Sequence, residues 1–141
     1  MALENLQNLV RINQLKNEPP DQKEFDGMVR SAAIRLRDAK NDALSPDSRF
    51  DLAYNGAHSL ALAALRWHGY RSDKRYLVFQ CLPHTLGLAS AKARVFSICH
   101  DKRNLAEYEG DLDIDAQLLG ELLQLSDELL ALVKALGPVK P

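Results

Sequence analysis

The sequence predicts an all-α protein: an up-and-down bundle of four main helices with an extra short one. Three observations carry that expectation. Leu occurs 25 times and Ala 17 times, against 6 Val, 4 Ile and 1 Thr, and β-branched residues furnish most natural strands. Apolar residues recur at helical spacing in every long segment. Between these segments stand the residues that start and stop helices: Pro19-Pro20, Ser45-Pro46, Gly69 and Gly110. At 141 residues the chain fits one domain with a sizeable core, expected over 1–136, followed by a frayed tail over 137–141.

The first helix is expected over Leu3 to Leu15, where Leu3, Leu6, Val10 and Leu15 keep near-helical period. Pro19-Pro20 ends it and Asp21 can cap the next. That second helix, about 22–41, shows Phe25, Met28, Val29, Ala32, Ala33, Leu36 and Ala39 at the spacing of a buried face. Ser45 as N-cap and Pro46 at the first helical position open a third helix running to about Trp67, with Gly69 as terminator. Its small residues, among them Ala53, Gly56, Ala57 and Ala61, allow a neighbour to approach closely. Ser72-Asp73 begins a further helix through Tyr76, Phe79 and Leu82, which Pro83 and Gly87 interrupt. A fresh helix is expected from about Ser90 to Glu109, closed by Gly110. The last runs from about Asp115 to Leu136, where Leu118, Leu122, Leu125, Leu129, Leu132 and Leu136 alternate by four and three.

Cys81 and Cys99 form no C-x-x-C pair and no disulfide framework, which suits a reducing cytoplasm. The first residues hold no basic segment followed by an apolar run, so no secretion signal is expected. No window has the apolar length of a membrane span. Net charge is −1, but it is unevenly placed. Residues 66–103 carry 8 basic and 2 acidic groups, and residues 104–141 carry 2 basic and 8 acidic. Helices packed side by side would neutralise each other; alternatively, the basic stretch is a surface for phosphates.

Most motifs fail on inspection. Asp111-Leu112-Asp113-Ile114-Asp115 opens like a calcium loop, but Ala116 and Leu122 stand where Gly and Glu are required, so the run reads as a cap and charge for the last helix. His58, His68, His84 and His100 show no metal-ligand spacing, and no metal or cofactor is expected. No glycine-rich phosphate loop or nucleophile elbow occurs.

The segment Arg103-Asn104-Leu105-Ala106-Glu107-Tyr108-Glu109-Gly110 is different, because its polar residues are chemically unlike one another. At about 100° per residue, His100, Asn104 and Tyr108 share a stripe, with Arg103 beside it. Lys102 adds charge next to Arg103. The plain alternatives are an Arg103–Glu107 surface pair worth about 0.3 kcal/mol and a Tyr108 that simply packs. Upstream, Tyr54 and His58 are helical neighbours at i, i+4, with Asn55 between them.

Together, R-N-L-A-E-Y-E-G and Ala53-Tyr54-Asn55-Gly56-Ala57-His58 in an Ala-rich helix resemble the HEPN superfamily of small helical bundles, in its SAV-type R-N-x-A-E-Y group. The resemblance covers most of the chain, most strongly about 49–110. It implies a homodimer in which two motifs meet in one cleft, and RNA or a nucleotide as ligand. It also implies a setting in a toxin–antitoxin or defence system, with a nucleotidyltransferase-type antitoxin as partner. Arg103 maps to the family arginine and Asn104 to its polar residue, while Tyr108 occupies the place of the family histidine. Active members cleave RNA without metal. A phenol, titrating near about 10, is a poor base where an imidazole is a good one. The expectation is therefore binding without efficient cleavage, with Arg103, Tyr54, His58 and Lys102 as contacts. The alternatives are a metal-independent endoribonuclease using Arg103, Asn104, Tyr108 and His100, and a non-enzymatic helical interaction module.

Overall fold

The third helix is the axis of the molecule. In the computed structural model, which describes residues 2–110 and 114–140, α3 (Pro46–Trp67) packs against α2 (Gln22–Ala39), α4 (Arg75–Gln80), α5 (Leu82–Thr85), α6 (Ser90–Glu109) and α7 (Ala116–Lys134). α1 (Ala2–Arg11) lies against α5. The described residues thus form four long helices, three short ones and a single two-stranded ribbon. The all-α expectation holds at that level.

Local chemistry accounts for the ends of the helices. Asp21 caps α2 by accepting from Lys23 N, and Ser45 caps α3 by accepting from Ser48 N. Pro46 occupies the first turn of α3, where its missing N–H costs nothing. Gly110 closes α6 in the left-handed region at φ 74°, a conformation that costs any other L-residue about 1–2 kcal/mol. Asp115 caps α7 by accepting from Leu118 N, as expected; the rest of the acidic run, Asp111 to Asp113, lies outside the described residues.

The alternation of direction follows from side-chain contacts between the helices. Arg49, early in α3, donates to Ala39 O at the end of α2, and Arg66, late in α3, donates to Glu24 early in α2. α2 and α3 therefore run antiparallel. Gly56 sits where they come closest, against the Leu36 side chain and Ala32 O. Tyr54 meets His100 and Asp51 meets Arg103, so α3 and α6 are also antiparallel. Lys92–Glu128 and Lys40–Asp127 pairs tie α7 to α6 and α2. The core runs through Phe50, Tyr54, Phe79 and Phe96, stacked or tilted at centroid separations of 5.6–6.1 Å. Burying each such ring stabilises the fold by roughly 1.5–3 kcal/mol.

Several expectations are corrected. The first helix stops at Arg11 rather than Leu15, because Asn13 turns the chain at φ 61° and the Gln14 and Leu15 amides bond back to Leu9 O. The residues that follow form a strand. β1 (Lys16–Asn17) pairs antiparallel with β2 (Tyr70–Arg71), too short to leave a period in the sequence. Beneath it lies buried Arg66, which donates to Glu24 and to the carbonyls of Glu18, Pro19 and Tyr70. Ser72-Asp73 does not begin a helix: Ser72 Oγ accepts from Lys74 N, and α4 starts at Arg75. The buried row of α7 is Leu119, Leu122, Ser126, Leu129 and Val133: Leu122 and Leu129 of the expected seam belong to it, while Leu118, Leu125, Leu132 and Leu136 are half-buried. Residues 137–139, where fraying was expected, are tied back: Trp67 Nε1 donates to Gly137 O and Val139 N donates to Gln22 Oε1. No helix among the described residues is long and apolar enough to cross a membrane.

Candidate functional site

Antiparallel packing of α3 and α6, with α4 alongside, gathers the polar side chains that the sequence placed far apart. Tyr54 Oη lies 2.9 Å from His100 Nδ1. On the other side of the ring, Asn104 Nδ2 lies 3.0 Å from His100 Nε2. Tyr54, Asn104 and His100 thereby form one hydrogen-bonded chain that engages both ring nitrogens and fixes the orientation of the imidazole.

Tyr54 is 2% exposed. Burial pushes its phenol above the ordinary range, while the nearby Arg75 and Arg103 charges pull the other way. It stays protonated at any ordinary pH and holds His100 from behind. Tyr54 is therefore shielded from the surface behind His100.

Arg75 was not singled out as a site residue from the sequence, and its surroundings are informative. Its guanidinium carbon lies 5.5 Å from the Tyr54 ring centroid, and Nη1 donates to Asn55 Oδ1 at 2.9 Å. Among the described residues no carboxylate pairs with it. It heads α4, directly after the Ser72 turn, and its membership of the 66–103 basic stretch was the only signal available.

Arg103 is held differently. Nε lies 3.0 Å from Asp51 Oδ1 and Nη1 lies 3.4 Å from Glu107 Oε1, with the side chain 32% exposed. The Nε hydrogen is not aimed at Asp51, so that contact is one of charge rather than a directed hydrogen bond. The Glu107 partner is the surface pair the sequence offered as the plain alternative. Two carboxylates neutralise much of what Arg103 could offer a phosphate, and Arg75 has none.

His58 stands behind the cluster, edge-on to Phe79 at 5.9 Å, with Nε2 buried and unpartnered. Burial, then the Arg75 and His100 charges, push its pKa down to about 4. A neutral, inward ring of this kind is not placed to contact RNA or to carry protons at neutral pH. Lys102 is half-buried beside Arg103 and makes no ion pair among the described residues. Tyr108 is 90% exposed and does not join the hydrogen-bonded chain. The stripe expected on α6 is thus real for His100 and Asn104 and ends before Tyr108.

The cysteines offer no nucleophile. Burial raises Cys81 to about 11, and burial with the Glu121 charge raises Cys99 to about 12, so both thiols stay protonated. Among the described residues no three His, Cys, Asp or Glu gather as a metal site.

Beside the cluster, between α1, α4, α5 and α6, lies an open groove of about 700 Å³. Tyr76, whose ring centroid is 5.9 Å from that of His100, forms the wall between the two. No protein-family model, no curated protein and no solved structure matches this chain.

Proposed function

We propose that this is a HEPN-like helical bundle that binds RNA or a nucleotide through the surface around His100, Asn104, Arg75 and Arg103, without efficient cleavage. One observation carries the reading. Tyr54 joins an imidazole engaged at both nitrogens to Arg75, a cation free of carboxylate partners among the described residues. A phosphate placed there meets a guanidinium without having to displace an acid, and charge-assisted contacts of that kind are the strong ones. The R-N-L-A-E-Y resemblance adds the ligand class, and the toxin–antitoxin or defence setting with a nucleotidyltransferase-type partner. The test is fluorescence anisotropy of a labelled mixed-sequence RNA at 50 and 200 mM salt. Binding that weakens with salt and drops at least fivefold in Arg75→Ala supports the reading. Absence of salt-dependent binding refutes it.

A metal-independent endoribonuclease is the second reading, and one feature favours it: the imidazole missing at Tyr108 is present at His100, bonded to Asn104. Incubating mixed RNA with protein and EDTA decides between them. Cleavage lost in both His100→Ala and Arg103→Ala would establish the enzyme.

The outer face of α6 also supports a homodimer, as an interaction module would form. Leu105 and Tyr108 are 52% and 90% exposed and lie three residues apart on one stripe of the helix. Light scattering of wild type and Leu105→Glu tests this, with a dimer mass in the first and a monomer mass in the second.

A further inference from the structure

We propose that the groove beside His100 seats a guanine base, stacked on Tyr76 and read by Asp101, while Arg75 holds the phosphate of the same nucleotide. The inference rests on the nucleotide-binding reading above and adds the identity of the base.

The placement comes from two dipeptides. Arg75-Tyr76 on α4 and His100-Asp101 on α6 face each other across packed helices. In each pair the first residue belongs to the Tyr54 cluster, and the second lines the groove. Consecutive Cα atoms are about 3.8 Å apart. Arg75 therefore borders the groove through its neighbour Tyr76 on the α4 wall, and His100 borders it through Asp101 on the α6 wall.

Tyr76 suits a base because its ring is 45% exposed and stands at the groove wall. Sequence-tolerant stacking of that kind weakens roughly tenfold when the ring is removed. Leu77 and Ile98 supply apolar sides to the groove.

Asp101 supplies the selectivity. It is exposed, lines the groove and makes no ion pair among the described residues. A carboxylate only accepts hydrogen bonds, through two parallel oxygens. Guanine is the one common base presenting two adjacent donors, N1–H and the N2 amino group. Adenine and cytosine set a ring acceptor beside their amino group, and uracil flanks its single N–H with two carbonyls. Each of those three turns a lone pair toward the carboxylate. Arg94 lines the groove on the same helix, seven residues and roughly 10 Å from Asp101. A guanidinium fork there matches the adjoining edge of guanine, where O6 and N7 accept.

The test is displacement of a labelled mixed-sequence RNA by GMP, AMP, CMP and UMP. GMP should compete about tenfold better than the others, the order expected for one good bidentate base contact. Asp101→Asn should abolish that preference, because an amide presents one acceptor and one donor. Tyr76→Ala should weaken all four about equally, and Arg75→Ala should bring GMP down to the level of guanosine. Equal competition by the four nucleotides, or an unchanged preference in Asp101→Asn, overturns the guanine assignment while leaving the RNA site standing. If neither RNA nor any nucleotide binds, both readings fall together. Asp101 is exposed, so Asp101→Asn is expected to keep the wild-type thermal unfolding midpoint.

Discussion

Acidification from pH 7 towards pH 4 puts a proton on His58 in the unfolded chain long before the folded chain accepts it. In the fold the ring packs edge-on to Phe79, its Nε2 is buried without a partner, and burial is the main cause of a pKa near 4 against an ordinary 6.5. The unfolded state therefore binds more protons across this window, and stability rises with pH there. The contribution is complete above about pH 6.5, falls by about 2 kcal/mol at pH 5 and by about 3 kcal/mol at pH 4, and then levels off. The assay is urea unfolding followed by circular dichroism at pH 7, 5 and 4, for wild type and for His58→Leu, with His58→Gln as a second variant. Carboxylates that titrate below pH 5 act equally in all three proteins, so the difference between their profiles isolates His58. Wild type should lose about 2 kcal/mol more than either variant between pH 7 and 5. Parallel profiles would refute the account, because His58 would then be solvated or hydrogen-bonded in the native state.

Tyr54→Phe removes the hydroxyl 2.9 Å from His100 Nδ1 and should cost about 1 kcal/mol in urea unfolding. It should also weaken RNA binding in Tyr54→Phe, although Tyr54 itself is buried; unchanged binding would show that His100 needs no such support. Arg66→Met leaves the Glu18, Pro19 and Tyr70 carbonyls without their buried cation and Glu24 with Arg71 alone. Its expected cost is about 3–5 kcal/mol, read as a large drop in the thermal midpoint. Burial pushes the Glu24 carboxyl up, but the hydrogen bonds and charges of Arg66 and Arg71 outweigh this and hold it below the usual range. That pairing stabilises the fold above the ordinary carboxylate range and is lost as pH falls through the lowered pKa. Arg66→Met should accordingly show a flatter stability profile below about pH 4.5, and an unchanged slope would place the effect elsewhere. Gly110→Ala forces a left-handed alanine at the end of α6 and should destabilise by about 1 kcal/mol, measurable by urea unfolding.

The long helices were legible because caps, prolines and periodicity agree on them, most closely at Ser45-Pro46 and between Ser90 and Gly110. What escaped was tertiary in origin. The β1–β2 ribbon has two residues per strand, held by an arginine whose partners come from three separate segments. Nothing local to Lys16 or Tyr70 announces that pairing. At the site, helical angles placed His100 and Asn104 together correctly. The same reasoning carried Tyr108 along, because angles alone do not say where a neighbouring helix ends. Arg75 was invisible for the opposite reason: its importance depends on α4 folding back over Tyr54, a contact made across twenty-one residues of chain.

The charge asymmetry can now be divided between its two explanations. Of the basic groups in 66–103, Arg66 and Arg71 are spent on Glu18 and Glu24, Lys92 on Glu128, and Arg103 on Asp51 and Glu107. Packing accounts for those four, with Lys92–Glu128 linking the basic stretch to the acidic last helix. Lys74 reaches only the Gln14 amide, and Arg75, Arg94 and Lys102 have no carboxylate partner among the described residues. Ion pairs at a surface contribute at most about 1 kcal/mol, so pairing these as well would have added little to stability. Left unpaired, Arg75 precedes Tyr76 and sits in the Tyr54 cluster, and Arg94 lines the groove with Tyr76 and Asp101. The basic charge that packing does not consume is thus concentrated where a phosphate and a base edge would need it. A phosphate is therefore better met at Arg75 and the groove than at Arg103, whose charge Asp51 and Glu107 already meet.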